Sequence, residues 1–210
     1  MLNSIQKLDQ TLFLLLNRDM ANPVFDTIMP FITNLHNWLF PIVVIWLGLI
    51  FFGGKKGKIA AVTIIILVTM SDQMAASLIK PLVHRIRPCH PDHFIQGGRF
   101  LIGMKKSLSF PSNHAANMGA VATYFSVRYP KIRWIAIGIA LLVSYSRIYV
   151  GVHFLTDILA GLLLGFGCGW FILFLEKTLI HLFQRRKNRK PLTPFDKGSI
   201  PRNTGKSHET

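Results

Sequence analysis

Long apolar runs recur along this chain and limit what it can fold into. Trp38 to Phe52, Ile59 to Ile79, His114 to Val127, Ile132 to Tyr145 and Phe154 to Leu175 are dominated by apolar and small residues, and Asp72 apart their charges lie near the ends. A helix needs about 20 such residues to cross a bilayer's hydrocarbon. The five stretches reach or approach that length. Half of the 210 residues are hydrophobic and only 16% are charged, more apolar than a soluble domain of this size requires. In lipid every backbone polar group must be satisfied within the segment, which selects helices. The pattern predicts an all-α, polytopic transmembrane helix bundle of about five spans.

Before the first span, Leu2, Ile5, Leu8, Leu12, Leu15 and Leu16 recur at helical spacing with Gln6, Lys7, Asp9 and Gln10 between them. That is the pattern of a helix lying at an interface. Those polar residues and the lack of a small-residue cleavage site argue against a signal peptide and for a start at Met1. Pro23 and Pro30 are expected to break the mixed segment that follows. Three regions result: an N-terminal interfacial segment, 1–36; a transmembrane domain, 37–177; and a basic tail, 178–210, whose Arg, Lys, Pro and Gly content from Gln184 onward predicts disorder.

The formal net charge of +15 raises the question of nucleic acid. The cations sit in short blocks beside apolar runs, so no nucleic-acid partner is expected, and the bilayer is the expected environment. Five spans put Lys55, Lys56, Lys58, Arg128, Lys131, Arg133 and the tail cations on one side, which the positive-inside rule makes cytoplasmic. Residues 80–113 and 146–153 then face outward, toward a periplasm or exterior.

Three polar clusters sit at that outward side. Lys80 to Pro88 reads KPLVHRIRP, Phe110 to His114 reads FPSNH, and Ser146 to Asp157 reads SRIYVGVHFLTD. Ionisable groups at membrane helix ends are costly and mark function. His153 and Asp157 are four apart, so on a helix the carboxylate can orient the imidazole and leave its second nitrogen free to attack. Ser112 suits a helix N-cap, and the N-terminus behind it suits an anion. His114 there can protonate a leaving oxygen. Lys80, Arg87 and Arg147 supply the clamp that phosphoryl transfer needs for charge spread over three oxygens. Pro81 and Pro88 are expected to turn the loop so that its cations point inward.

These clusters resemble the type 2 phosphatidic acid phosphatases, a superfamily of membrane lipid phosphatases that also includes soluble acid phosphatases and vanadium haloperoxidases. Its pattern is Lys, six residues, Arg-Pro; then Pro-Ser-Gly-His; then Ser-Arg, five residues, His, three residues, Asp. The first and third blocks match, and the second has Asn113 in place of glycine. The resemblance, over about residues 59–175, implies a phosphohistidine on His153, His114 as general acid and Asp157 as orienter. It further implies phosphate contacts from Lys80, Arg87, Ser112 and Arg147, with no metal and no cofactor. Asn113 tolerates the left-handed backbone that glycine allows, and its side chain is expected to crowd or touch the phosphate.

The implied activity removes a terminal phosphate from a membrane lipid phosphate or diphosphate. Undecaprenyl diphosphate is the leading substrate, beside phosphatidylglycerol phosphate, phosphatidic acid and a lipid A phosphate. Transfer of the phosphoryl group to a second lipid is the alternative, and a non-catalytic lipid-phosphate binder or transporter a remote one. The expected location is a bacterial inner membrane. Cys89, His90, Asp92 and His93 are all possible zinc ligands, but they crowd into five residues without a second half-site, and a metal is not expected there. Cys89 and Cys168 predict no disulfide framework. Asp72 is expected to be a polar partner between helices.

Overall fold

The computed structural model describes residues 2 to 188. Helix α1 (Leu2–Leu14) continues as a π-helical stretch, Leu15–Asp19, and is followed by α2 (Pro23–Thr33) and α3 (Leu35–Phe51). Helix α4 (Gly54–Gln73) passes through a π-helical segment, Met74–Ile79, into the short α5 (Lys80–Val83). Residues 84–112 form a long irregular segment, after which come α6 (Asn113–Arg128), α7 (Arg133–Tyr149) and α8 (Leu155–Asn188). Among the described residues there is no strand, in keeping with the predicted all-helical class.

Among the described residues, three helical runs are long and apolar enough to cross a membrane: Gly54–Val83, Pro130–Tyr149 and Leu155–Arg185. Helices α2 and α3 make a fourth if the pair, bent by 56°, is one span. Helix α6, counted as a span on sequence, has 16 residues, short of the roughly 20 that cross unaided. It packs between α4 and α7 and buries Ala115, Ala116, Gly119, Ala120 and Tyr124. Small residues let helices approach closely in lipid: a Cβ on Gly165 of α8 would stand 2.1 Å from the Ala116 carbonyl oxygen. The starts of α6 and α8 are thereby pinned together, and the Ser112 N–H donates to the Asp157 carbonyl at 3.0 Å.

Two sequence expectations change. Pro23 sits in the first turn of α2 and Pro30 inside it, and neither breaks the helix. The break falls at Asn34, whose extended backbone and side chain cap α3. Likewise α5 is ended by His84, at φ 50 in the left-handed region, and it is this residue rather than Pro81 that turns the chain. Along α1 and its π-helical continuation Ile5, Leu8 and Leu15 are exposed, while Asp9, Phe13 and Asn17 are buried. Ser4, Gln6, Lys7 and Thr11 are exposed beside these apolar residues, a mixed outer face that suits the interface expected from the sequence.

The C-terminal unit begins at Phe174. Its described part is helical to Asn188, past the boundary expected at 177. The rest of the basic tail lies outside the described residues.

Candidate active site

The turn between α7 and α8 carries the first part of the site. Gly151, at φ 87, makes the turn possible, and a Cβ there would lie 2.2 Å from the Arg99 carbonyl oxygen. Asn17 clamps the same region. Its amide nitrogen donates to the carbonyls of Arg99 at 2.9 Å and Tyr149 at 2.7 Å, and its oxygen accepts the Arg99 N–H at 2.6 Å. His153 follows, 2% exposed. Burial holds its imidazole well below the ordinary histidine range, Arg87 and Arg147 push the same way, and Asp157 opposes them. The ring is neutral at physiological pH.

A guanidinium has donors only, so the 3.0 Å bond between Arg87 Nη1 and His153 Nε2 requires a lone pair on Nε2. The ring proton therefore sits on Nδ1, 3.4 Å from Asp157 Oδ2. Arg87 is itself anchored through Nε to the Ser107 carbonyl at 3.0 Å and through Nη1 to the Val152 carbonyl at 2.9 Å. Asp157, in the first turn of α8 and fully buried, also accepts from the Phe154 N–H at 2.9 Å, from the Ser109 hydroxyl and from Arg85 Nη1 at 2.8 Å. Arg85 reaches on to Asp9 of α1, and Asp9 accepts the Thr156 N–H at 3.1 Å. Two buried carboxylates thus share one guanidinium.

The second part lies at the start of α6. The Ser112 oxygen caps the helix, facing the Ala115 N–H at 3.5 Å, and Asn113 and His114 occupy its first two positions. Asn113 turns its amide toward α4, donating to Asp72 Oδ1 at 2.8 Å, while its own Oδ1 is buried without a partner. Asn117 donates to the same Asp72 oxygen at 3.2 Å, so Asp72 bridges α4 and α6. His114 lies within electrostatic range of Arg147, Arg87, Asp72 and Lys80, and Lys80 within range of Arg87, Asp72, Asp157 and Arg147. Arg147 donates through Nη1 to Thr33 of α2, and its Nε is buried without a partner.

All eight residues singled out on sequence therefore fall in one region at the joined ends of α5, α6, α7 and α8. Three cations within range of one another repel, and their electrostatic complement is a compact polyanion such as a phosphoryl group. Sequence reasoning did not assign Arg85, Ser109, Asp9 or Thr156. Arg85 stands inside the first cluster, two residues from Arg87, and that proximity was the available signal. Cys89 and Cys168 are buried and free. Among the described residues, no group of three or more His, Cys, Asp or Glu side chains could hold a metal ion.

A helical membrane bundle that gathers two histidines, a buried carboxylate and three cations at one end has the make-up of a lipid phosphatase. The profile of the PAP2 superfamily matches residues 61–180, and the chain belongs to that superfamily. It is 31% identical over 186 residues to the lipid A 4'-phosphatase of Bacteroides thetaiotaomicron, which covers 85% of this chain and 81% of that one. It is also 31% identical over 181 residues to phosphatidylglycerophosphatase B of Bacillus subtilis, with 80% and 81% covered. Among solved structures, the transmembrane PAP2-type phosphatidylglycerolphosphate phosphatase of B. subtilis matches at a TM-score of 0.64 and 26% identity, over 84% of this chain and 88% of that one.

Proposed function

We propose that this phosphatase cleaves a terminal phosphate monoester from a glycolipid by attack of His153, with His114 as general acid and base. The observation that carries the reading is the 3.0 Å bond from Arg87 to His153 Nε2, which leaves the ring's proton toward Asp157 and the Nε2 lone pair toward the guanidinium. Arg87 first shifts its hydrogen bond from Nε2 to a phosphoryl oxygen. The Nε2 lone pair then forms the P–N bond, the bond from phosphorus to the lipid oxygen breaks, and His114, which takes up a proton when the anionic phosphoryl group binds among the cations, gives that proton to the oxygen as an imidazolium. Lys80, Arg87 and Arg147, with the Ser112 hydroxyl and the backbone N–H of Asn113 at the start of α6, bind the equatorial oxygens. Water next attacks phosphorus, losing its proton to His114. The P–N bond breaks, and inorganic phosphate leaves with the Nε2 lone pair restored.

Every side chain in this sequence belongs to the protein, and no step requires a metal. Asp157 keeps the ring oriented and stabilises the cation formed during transfer. An apolar cavity of about 790 Å³ beside α6, walled in part by Leu162, Phe166 and Trp170, offers a course for an acyl chain. The site is read as facing the periplasm or exterior, because the short loops 53–58 and 128–131 carry the cations of the other side. The glycolipid is preferred over undecaprenyl diphosphate because the relative matched over 85% of the chain is a lipid A 4'-phosphatase.

The test is phosphate release in detergent with EDTA present, from lipid A, phosphatidylglycerol phosphate, phosphatidic acid and undecaprenyl diphosphate. Release from lipid A that vanishes in His153→Ala is expected. Release that needs a second lipid as acceptor would replace hydrolysis by phosphotransfer, and preference for undecaprenyl diphosphate would overturn the substrate.

A further inference from the structure

Arg147 touches more than the phosphate region. A cavity of about 450 Å³ opens beside it, bounded by the end of α2, the start of α3 and the loop that carries Ile102 and Lys105. The cavity exists because α2 and α3 meet at 56°. Asn34 fixes that corner: its side-chain oxygen accepts the His36 N–H at 3.2 Å and lies 3.2 Å from the His36 ring nitrogen. The facing loop is held by its backbone, through Gly103 N–H to the Phe100 carbonyl and Lys105 N–H to the Cys89 carbonyl, each at 3.1 Å. Thr33 and Arg147, bonded to each other, join the cavity to the site.

The lining states what would fit. Lys105 and Arg147 carry fixed positive charge, His36, Asn34 and Thr33 add neutral polar groups, and no carboxylate is among the lining residues. The Arg147 Nε, buried without a partner, is a charged donor whose desolvation an acceptor would offset. The volume lies within the range of roughly 300–1,000 Å³ typical of small-molecule sites. That is room for a headgroup and not merely for one anion. A donor-rich, cationic chamber sharing an arginine with the scissile-phosphate site calls for an acceptor-rich anionic group attached to the same substrate.

We propose that this cavity is a headgroup subsite that takes a phosphorylated sugar, the part of the substrate beyond the scissile phosphate. Lys105 binds the second phosphate, His36 and Asn34 bind sugar hydroxyls, and Arg147 spans the two anions. The subsite rests on the reading that the chain hydrolyses lipid phosphates through His153. It makes the headgroup a determinant of substrate choice, since phosphatidic acid has no group that reaches Lys105.

The experiment compares kcat/KM for lipid A bearing two phosphates with kcat/KM for phosphatidic acid, in mixed micelles, for wild type, Lys105→Ala, His36→Ala and the cavity-filling Leu35→Trp. The ratio between the two substrates cancels losses of folded protein. It is expected to fall about tenfold in Lys105→Ala, the loss of one charge-assisted hydrogen bond, through KM. Leu35→Trp should lower it further and His36→Ala less. A ratio that stays put in all three variants overturns the subsite, as does an equal fall on both substrates. Weaker inhibition by inorganic phosphate in Lys105→Ala with an unchanged ratio also overturns it, by making the cavity a free-phosphate site. Wild type that releases phosphate from neither lipid, or release that survives His153→Ala, instead breaks the reading on which the subsite rests.

Discussion

The two histidines of the site are held in different ways. Around His153 the structure is close to saturated: Arg87 bonds one ring nitrogen, Asp157 faces the other, and Asp157 has four donors, Arg85 and Ser109 of the irregular segment and His153 and the Phe154 N–H of the turn. Around His114 the supports are indirect. Ser112 caps the helix, Asn113 leans on Asp72, and two buried polar atoms, Asn113 Oδ1 and Arg147 Nε, have no partner. A nucleophile must be aimed before the reaction begins, and fixed partners do that. In the proposed scheme His114 serves two different oxygens in turn, which a looser setting allows.

Removing the histidines tests that division most harshly. His153→Ala is expected to lower kcat by about 10⁴-fold or more, and His114→Ala by about 10²- to 10⁴-fold. A His114 variant within tenfold of wild type would remove the acid from the scheme. Arg85→Ala comes next, because it leaves the Asp9 and Asp157 carboxylates without their shared cation. A loss of about 3–5 kcal/mol is expected for a broken buried pair, seen as a lower unfolding temperature in detergent. Arg85→Lys should recover part of the stability and less of kcat, since one ammonium cannot serve both carboxylates in the guanidinium geometry. Unchanged stability in Arg85→Ala would show that α1 is not tied to the site through this residue.

The pH dependence of stability follows from His153. Its folded value lies below the unfolded one of about 6.5, so the unfolded chain binds a proton that the folded chain refuses. This contribution is fully present above about pH 6.5 and declines as pH falls toward the folded value. Melting curves from pH 8 to 5 should show the decline for wild type and a shallower one for His153→Asn. Parallel curves would count against a buried neutral ring. The smallest effect is expected from Asn113→Gly, which should retain hydrolysis while losing about 0.5–1.5 kcal/mol with the hydrogen bond to Asp72. Loss of hydrolysis in a well-folded Asn113→Gly would give the Asp72 contact a required part.

The spacing of charged residues made the reacting groups legible without a structure. His153 and Asp157 are linked by helical geometry, and Ser112, Asn113 and His114 by the grammar of a helix start. Asp9 was hidden for the opposite reason. It reads as one polar residue among several on an interfacial helix, and only the packing of α1 against Arg85 and Thr156 shows that it is buried. Pro30 misled because proline predicts a break from local sterics, whereas α2 continues through it and the chain turns at Asn34. The cavity at Lys105 was equally invisible. It depends on an interhelix angle and a loop contact that spacing along the chain does not encode.

Trapping the covalent intermediate tests the proposed chemistry most directly. Wild type mixed for milliseconds with substrate carrying labelled terminal phosphate, then quenched in alkali, should hold acid-labile, alkali-stable label on the peptide containing His153, and His153→Ala should hold none. Full turnover with no label on that peptide, or label on the peptide containing His114, would contradict His153 as the nucleophile.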